Sequence, residues 1–165
     1  MSSRRLKLAT ILLIILCALL VGCGQKMVKP SFPHPGARGP YAAGPVAEQE
    51  LQAVQASLKP VYFDYDQYTL SPQAQADLHY NADLLRRVPQ VAVVAEGHCD
   101  ERGTAEYNLA LGDRRARSSV EYLTAFGIDP HRFSIVSYGS ELPVDPRHDE
   151  TAWSKNRRVY LRVSR

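Results

Sequence analysis

Apolar positions along the chain fall into three regimes. A run from Leu8 to Val21, broken only by Thr10, opens it. Residues 24–60 follow, with few apolar positions at regular spacing before Val46. From Val61 onward, short β-branched and aromatic runs alternate with segments whose apolar residues recur every three or four positions. The last regime predicts strands alternating with helices, which pack as helices on one side of a mixed sheet. VYFDY (61–65) reads as a strand by composition, and VAVVAEGH (91–98) as a second with Val91, Val93 and Ala95 on one face. Residues 133–138 and 158–163 supply a third and a fourth. Between the first two, Ser71-Pro72 is an N-cap with proline in the first helical turn, and Ala74, Leu78, Ala82 and Leu85 form the stripe that ends at Pro89. A longer helix is predicted over 104–126, with Leu109, Ala116, Val120 and Leu123 as its buried stripe and Gly127 as its stop.

The first two regimes are not part of that domain. Arg4, Arg5 and Lys7 precede the apolar run, as in a secretory signal. About 14 residues at 1.5 Å each reach roughly 21 Å, short of the ~30 Å hydrocarbon core of a bilayer. The run ends in Leu20-Val21-Gly22-Cys23, which resembles the lipobox of bacterial lipoproteins and makes 1–22 the signal and Cys23 the lipidated N-terminus. Several acyl chains on one residue, at ~0.8 kcal/mol per buried CH₂, hold a protein firmly to a membrane. By that resemblance, Gly24 after the cysteine directs the protein to the outer membrane. Residues 23–58, with prolines at 30, 33, 35, 40 and 45, are expected to be a flexible tether, 46–58 making at most a weak helical turn or two. The domain is expected to span 59–165.

Charge removes one class of partner. The chain has 20 basic and 17 acidic residues, a formal charge of +3, but the signal holds three of the positives. From Lys59 the balance is 14 to 15, so no basic footprint for nucleic acid remains. Of the three cysteines, Cys17 leaves with the signal and Cys23 carries lipid, so Cys99 has no intramolecular partner.

The chemistry concentrates in GHCDERGTAEYNLALGDRRARSSVEYL (97–123). A hydrolase with Cys99 as nucleophile and His98 as base is disfavoured, because adjacent strand residues face opposite ways. A metal site on His98 and Asp100 lacks further ligands at a suitable spacing. A zwitterion site fits better. Asp100 leaves the strand ahead of Gly103, and Asn108, Leu111 and Arg115 share one helical stripe at i, i+3 and i+7. Helical side chains lean toward the N-terminus, which aims Arg115 at the Asp100 loop. Arg offers a fork to a carboxylate and Asp accepts from an ammonium. Spacing alone leaves a plain Asp100–Arg115 ion pair equally open.

The strings VYFDYD (61–66), EGHCDERGTAEYNLALGDRRA (96–116), VSYGSELP (136–143) and AWSKNRRV (152–159) resemble the OmpA C-terminal domain family, and within it the lipoproteins that hold peptidoglycan. The resemblance covers about 100 residues in order. It implies an α+β fold, an OmpA-like βαβαββ sandwich with a mixed four-stranded sheet and helices packed on one side. It implies that Asp100 and Arg115 grip the diaminopimelate of peptidoglycan stem peptides, with Asn108 and Leu111 forming the pocket and Phe63-Asp64 its other wall, partly through backbone. Both charged groups are then expected to be partly exposed. Cys99 departs from the small residue usual in the family. Arg114 and Arg117 read as solvated helix charges, and Asn156-Arg157-Arg158 as organisers of the loop into the last strand.

The resemblance further implies an outer-membrane lipoprotein with its domain in the periplasm, without enzymatic activity, cofactor or metal. Its partners would be peptidoglycan, TolB and other components of the Tol-Pal system, with a role in constriction during division. The rivals are a lipid-anchored peptidoglycan-processing enzyme and another OmpA-like wall anchor, such as a flagellar stator subunit or porin-linked anchor.

Overall fold

The computed structural model describes residues 47–164. The expected signal at 1–22, the expected lipidation site at Cys23 and the proline-rich part of the expected tether lie outside the described residues. The described elements are α1 (Glu48–Ser57), β1 (Val61–Tyr62), α2 (Pro72–Arg87), β2 (Ala92–His98), α3 (Ala105–Ala125), a 3₁₀ turn (Pro130–Arg132), β3 (Phe133–Gly139), α4 (Glu150–Asn156) and β4 (Arg158–Ser164). The strands form one mixed sheet in the order β1-β4-β2-β3. β2 and β3 are parallel, joined by the α3 crossover, and β4 runs antiparallel to both β1 and β2. The mixed α+β architecture matches the expectation, with α1 and α4 as helices beyond the expected βαβαββ order.

Local signals explain most boundaries. The Ser71 hydroxyl accepts from the Ala74 amide (3.2 Å) with Pro72 behind it, and Thr104 caps Tyr107 in the same way at α3 (3.2 Å). Gly127, at φ +86°, turns the chain after α3, and the Ile128 amide reaches back to the Leu123 carbonyl (3.2 Å). Leu78, Ala82 and Leu85 of α2, Val93 and Ala95 of β2, and Ala116, Val120 and Leu123 of α3 meet in one core.

Three expectations need correction, and one helix had no counterpart among them. β1 spans two residues rather than 61–65, because the Phe63 and Asp64 carbonyls accept from arginine side chains instead of a neighbouring strand. Leu109 is exposed rather than part of the buried stripe; it belongs to the first turns of α3 and lies against Gly139, where β3 ends. The run 150–156 is helical, started by the Asp149 carboxylate on the Ala152 amide (2.8 Å). The core also reaches ahead of the expected boundary at 58: α1 contributes Val54, and Leu58 follows it into the core. β1 covers only the first two residues of β4, and the Gln55 amide serves the bare edge beyond. It donates to the Leu161 carbonyl (3.1 Å) and the Tyr160 hydroxyl (2.9 Å) and accepts from the Val163 amide (2.8 Å).

One contact brings the helix that carries the suspected site onto the strand that feeds it. A Cβ on Gly97 of β2 would lie 1.9 Å from the Gly112 carbonyl oxygen of α3, and one on Gly112 would lie 2.3 Å from the Ser137 hydroxyl. Two missing side chains thus let helix and sheet backbones touch.

Candidate functional site

The close Gly97–Gly112 approach sets the start of α3 above the loop that leaves β2. There a cavity of about 220 Å³ opens between that loop, α3 and the 65–66 turn. Asp100, Asn108, Leu111 and Arg115 all line it, so the structure brings together four of the residues expected at the site. Phe63 and Asp64 stand behind the wall rather than in it; Tyr65 and Asp66 line the cavity on that side. Asp66 turns the chain there with φ +56°, and its carboxylate accepts from the Tyr107 hydroxyl.

Arg115 is fully buried, not partly exposed. Its Nε donates to the Gln67 carbonyl (2.8 Å), Nη1 to the His98 carbonyl (2.9 Å) and Nη2 to the Asp64 carbonyl (3.1 Å). Nη1 also approaches the Cys99 sulfur at 3.5 Å. The guanidinium therefore ties the 64–67 turn and the end of β2 to α3, with one Nη2–H of its five donors left over. Burial lowers its pKa.

Asp100 is 4% exposed and does not pair with Arg115. Its Oδ1 accepts from the Arg102 amide (3.0 Å) and Nε (3.2 Å), and its Oδ2 from Arg102 Nη2 (2.6 Å) and Arg157 Nη1 (3.2 Å). Burial opposes ionisation of Asp100, but these hydrogen bonds outweigh it and hold the carboxyl below its ordinary value. The plain Asp100–Arg115 pair left open by spacing is thus replaced by pairs with Arg102 and Arg157. Asn108 holds the loop in place, its Nδ2 donating to the Asp100 and Arg102 carbonyls (3.2 Å each).

Arg157, read from the sequence as an organiser of the loop into the last strand, is buried and lines the cavity. Its Nε donates to the Phe63 carbonyl (3.1 Å), and Nη2 pairs with Glu150 (2.5 Å). The Arg102 guanidinium lies between two aromatic faces, 4.0 Å from the Tyr65 ring centre and 4.2 Å from that of Trp153. Sequence reasoning missed Arg102, Tyr65, Asp66 and Tyr107; the aromatic residues at 65, 107 and 153 were the available signal. The lining holds three guanidiniums (Arg102, Arg115, Arg157) and two carboxylates (Asp66, Asp100). Such a cavity suits a small ligand that carries both charges, with an excess of acid.

Cys99 and His98 do not form a nucleophile and base. The Cys99 thiol faces α3 and donates to the Asn108 carbonyl (3.3 Å), and burial pushes its pKa up against the pull of Arg115. The His98 ring stacks on Tyr138 with centroids 5.5 Å apart, and neither ring nitrogen has a hydrogen-bond partner. Burial, aided by Arg158, depresses its pKa to about 4. Among the described residues no three or more His, Cys, Asp or Glu side chains gather as metal ligands.

Residues 62–157 match the model of the OmpA family. The peptidoglycan-associated lipoprotein of Pseudomonas aeruginosa is 42% identical over 154 residues, covering 88% of this chain and 90% of its own. That of Pasteurella multocida is 45% identical over 111 residues, 67% of this chain and 74% of its own. Among solved structures, the peptidoglycan-associated lipoprotein from Burkholderia pseudomallei superposes with a TM-score of 0.62 at 42% identity, covering 64% of this chain and 90% of that one. The C-terminal domain of Helicobacter pylori MotB shares the fold at a TM-score of 0.61 and 23% identity, over 65% of this chain and 84% of that one.

Proposed function

From the premise that this chain belongs to the OmpA family, and within it to the peptidoglycan-associated lipoproteins, we propose that it is an outer-membrane lipoprotein that binds peptidoglycan non-covalently and without catalysis. The observation that carries the reading is the cavity of about 220 Å³ between the Asp100 loop and the Arg115 stripe, with its two carboxylates and three guanidiniums. The side-chain end of diaminopimelate has an ammonium and a carboxylate on one carbon. Asp100 receives the ammonium, and the positive charge of Arg115 in the cavity wall draws the carboxylate toward α3. Leu111 packs against the methylene chain, and Asn108 keeps the loop at its distance.

Lipid on Cys23 fastens the other end to the outer membrane, so one molecule ties membrane to wall from the periplasm. TolB and the other Tol-Pal components are the proposed protein partners, and constriction of the envelope at division the proposed setting. The names of the curated relatives support this reading over a wall-processing enzyme.

Sedimentation with purified peptidoglycan tests it. The protein should pellet with diaminopimelate-type walls and remain mostly soluble with lysine-type walls. Losing one charge-assisted partner costs ~1.5–3 kcal/mol, about ten- to hundredfold in affinity. Asp100→Asn should release most of the bound protein, and equal pelleting with both wall types would overturn the ligand assignment. Mass spectrometry should find acyl mass on residue 23, and a pull-down with TolB should recover the chain.

A further inference from the structure

The four hydrogen bonds on Asp100 raise a question of access. A carboxylate offers about four lone-pair sites, and Arg102 and Arg157 already use four. An incoming ammonium gains Asp100 only by displacing one of them. Arg157 cannot yield easily: its side chain is 7% exposed and is also fastened to the Phe63 carbonyl and Glu150. The Arg102 side chain is 30% exposed, and its other anionic neighbour, Glu150, is at 3.6 Å. The Tyr65 and Trp153 faces beside it keep the guanidinium at the cavity edge but let it slide across them as it leaves Asp100, so the stacking on Trp153 changes with the exchange.

We propose that Arg102 is the specificity-determining residue of this cavity, a guanidinium that surrenders Asp100 to the ligand's ammonium and takes the ligand's carboxylate in exchange. The inference rests on the diaminopimelate reading above and deepens it. A zwitterionic centre completes the exchange, because it brings a cation for Asp100 and an anion for Arg102. A lysine side chain brings the cation alone and leaves Arg102 displaced without an anion. Discrimination therefore arises from an internal competitor as well as from direct attraction. The Arg102 amide, which also holds Asp100, is untouched by side-chain replacement, so the loop keeps its turn in Arg102 variants.

The test uses the full chain in detergent and two soluble muramyl tripeptides that differ only in the third residue, meso-diaminopimelate or L-lysine. The parent should prefer the former by about tenfold or more. Arg102→Gln should compress that preference to about two- to threefold, weakening the diaminopimelate fragment and strengthening the lysine fragment. Arg102→Lys, which keeps the charge but loses the fork and the stacking, should fall between. Both variants weakening on both fragments in parallel, with the preference intact, would make Arg102 a scaffold and overturn the proposal. A second readout is independent of the variants. Trp153 is the one tryptophan in the sequence, so its emission reports the guanidinium stacked on it. The diaminopimelate fragment should change that emission in the parent; saturation without a change would mean that Arg102 stays in place, and would equally refute the exchange. A parent that binds neither fragment would bring down the ligand reading itself, a failure distinct from an unchanged preference.

Discussion

Replacing Arg115 by alanine should unfold much of what it is meant to test. The guanidinium is fully buried and donates to the carbonyls of Asp64, Gln67 and His98. Hydrogen bonds to a charged group contribute ~1.5–3 kcal/mol each, and truncation leaves three acceptors without a donor. Water entering from the cavity rehydrates some of them, and removing a desolvated charge returns part of its burial cost. The balance is a loss of about 3–5 kcal/mol, a large share of the ~5–15 kcal/mol that stabilises a typical domain. For a domain of this size that lowers Tm by roughly 10–20 °C. Thermal melts by circular dichroism, with urea titrations at 25 °C, measure it directly. Arg115→Lys should recover part of the loss, since one ammonium keeps the charge but cannot span three carbonyls. A melting point within about 3 °C of the parent would refute the argument that Arg115 is a strut. If the loss is found, failure of Arg115→Ala to bind peptidoglycan reports the fold as much as the ligand contact. The Arg102 variants, at a side chain 30% exposed, then become the cleaner probes.

Gly97→Ala places a Cβ 1.9 Å from the Gly112 carbonyl oxygen, backbone against backbone, so α3 must lift from β2; a loss of about 3 kcal/mol or more is expected in a urea titration. Gly127→Ala meets nothing within 4 Å, and its φ of +86° alone should limit the loss to roughly 1 kcal/mol. His98 has a folded pKa of about 4 against 6.5 unfolded, so the unfolded chain binds its proton first, and stability should fall as pH drops from 6.5 to 4. The full loss from this group is at most about 3 kcal/mol, and His98→Phe, which keeps a ring beside Tyr138, should flatten that part of the pH profile. Limited proteolysis should trim the chain ahead of Glu48 rather than at Lys59, and truncation to residue 59 should lower Tm measurably by stripping Val54, Leu58 and the Gln55 amide from the core and the β4 edge.

The elements legible without coordinates were those whose causes lie within a turn or a strand of themselves. Ser71-Pro72 starts α2, Thr104 and Gly127 bracket α3, and the apolar alternation at 91, 93 and 95 sets the buried face of β2. The i, i+3, i+7 spacing put Asn108, Leu111 and Arg115 on one helical stripe, and in the structure all three line a cavity together with Asp100. Tertiary structure decided what those residues touch. Arg115 meets carbonyls 17, 48 and 51 positions away. Arg132 in the same manner gathers the carbonyls of Leu85, Val88 and Val91 at the end of α2. Every residue carries a carbonyl, so no side-chain pattern marks which ones a buried guanidinium will collect. The same limit hid the docking of α1, whose Gln55 amide completes a strand edge more than a hundred positions later. It hid the partner of Asp100 as well: two residues along the chain Arg102 was in plain view, but its hold on Asp100 depends on the faces of Tyr65 and Trp153, which only folding brings to either side of it.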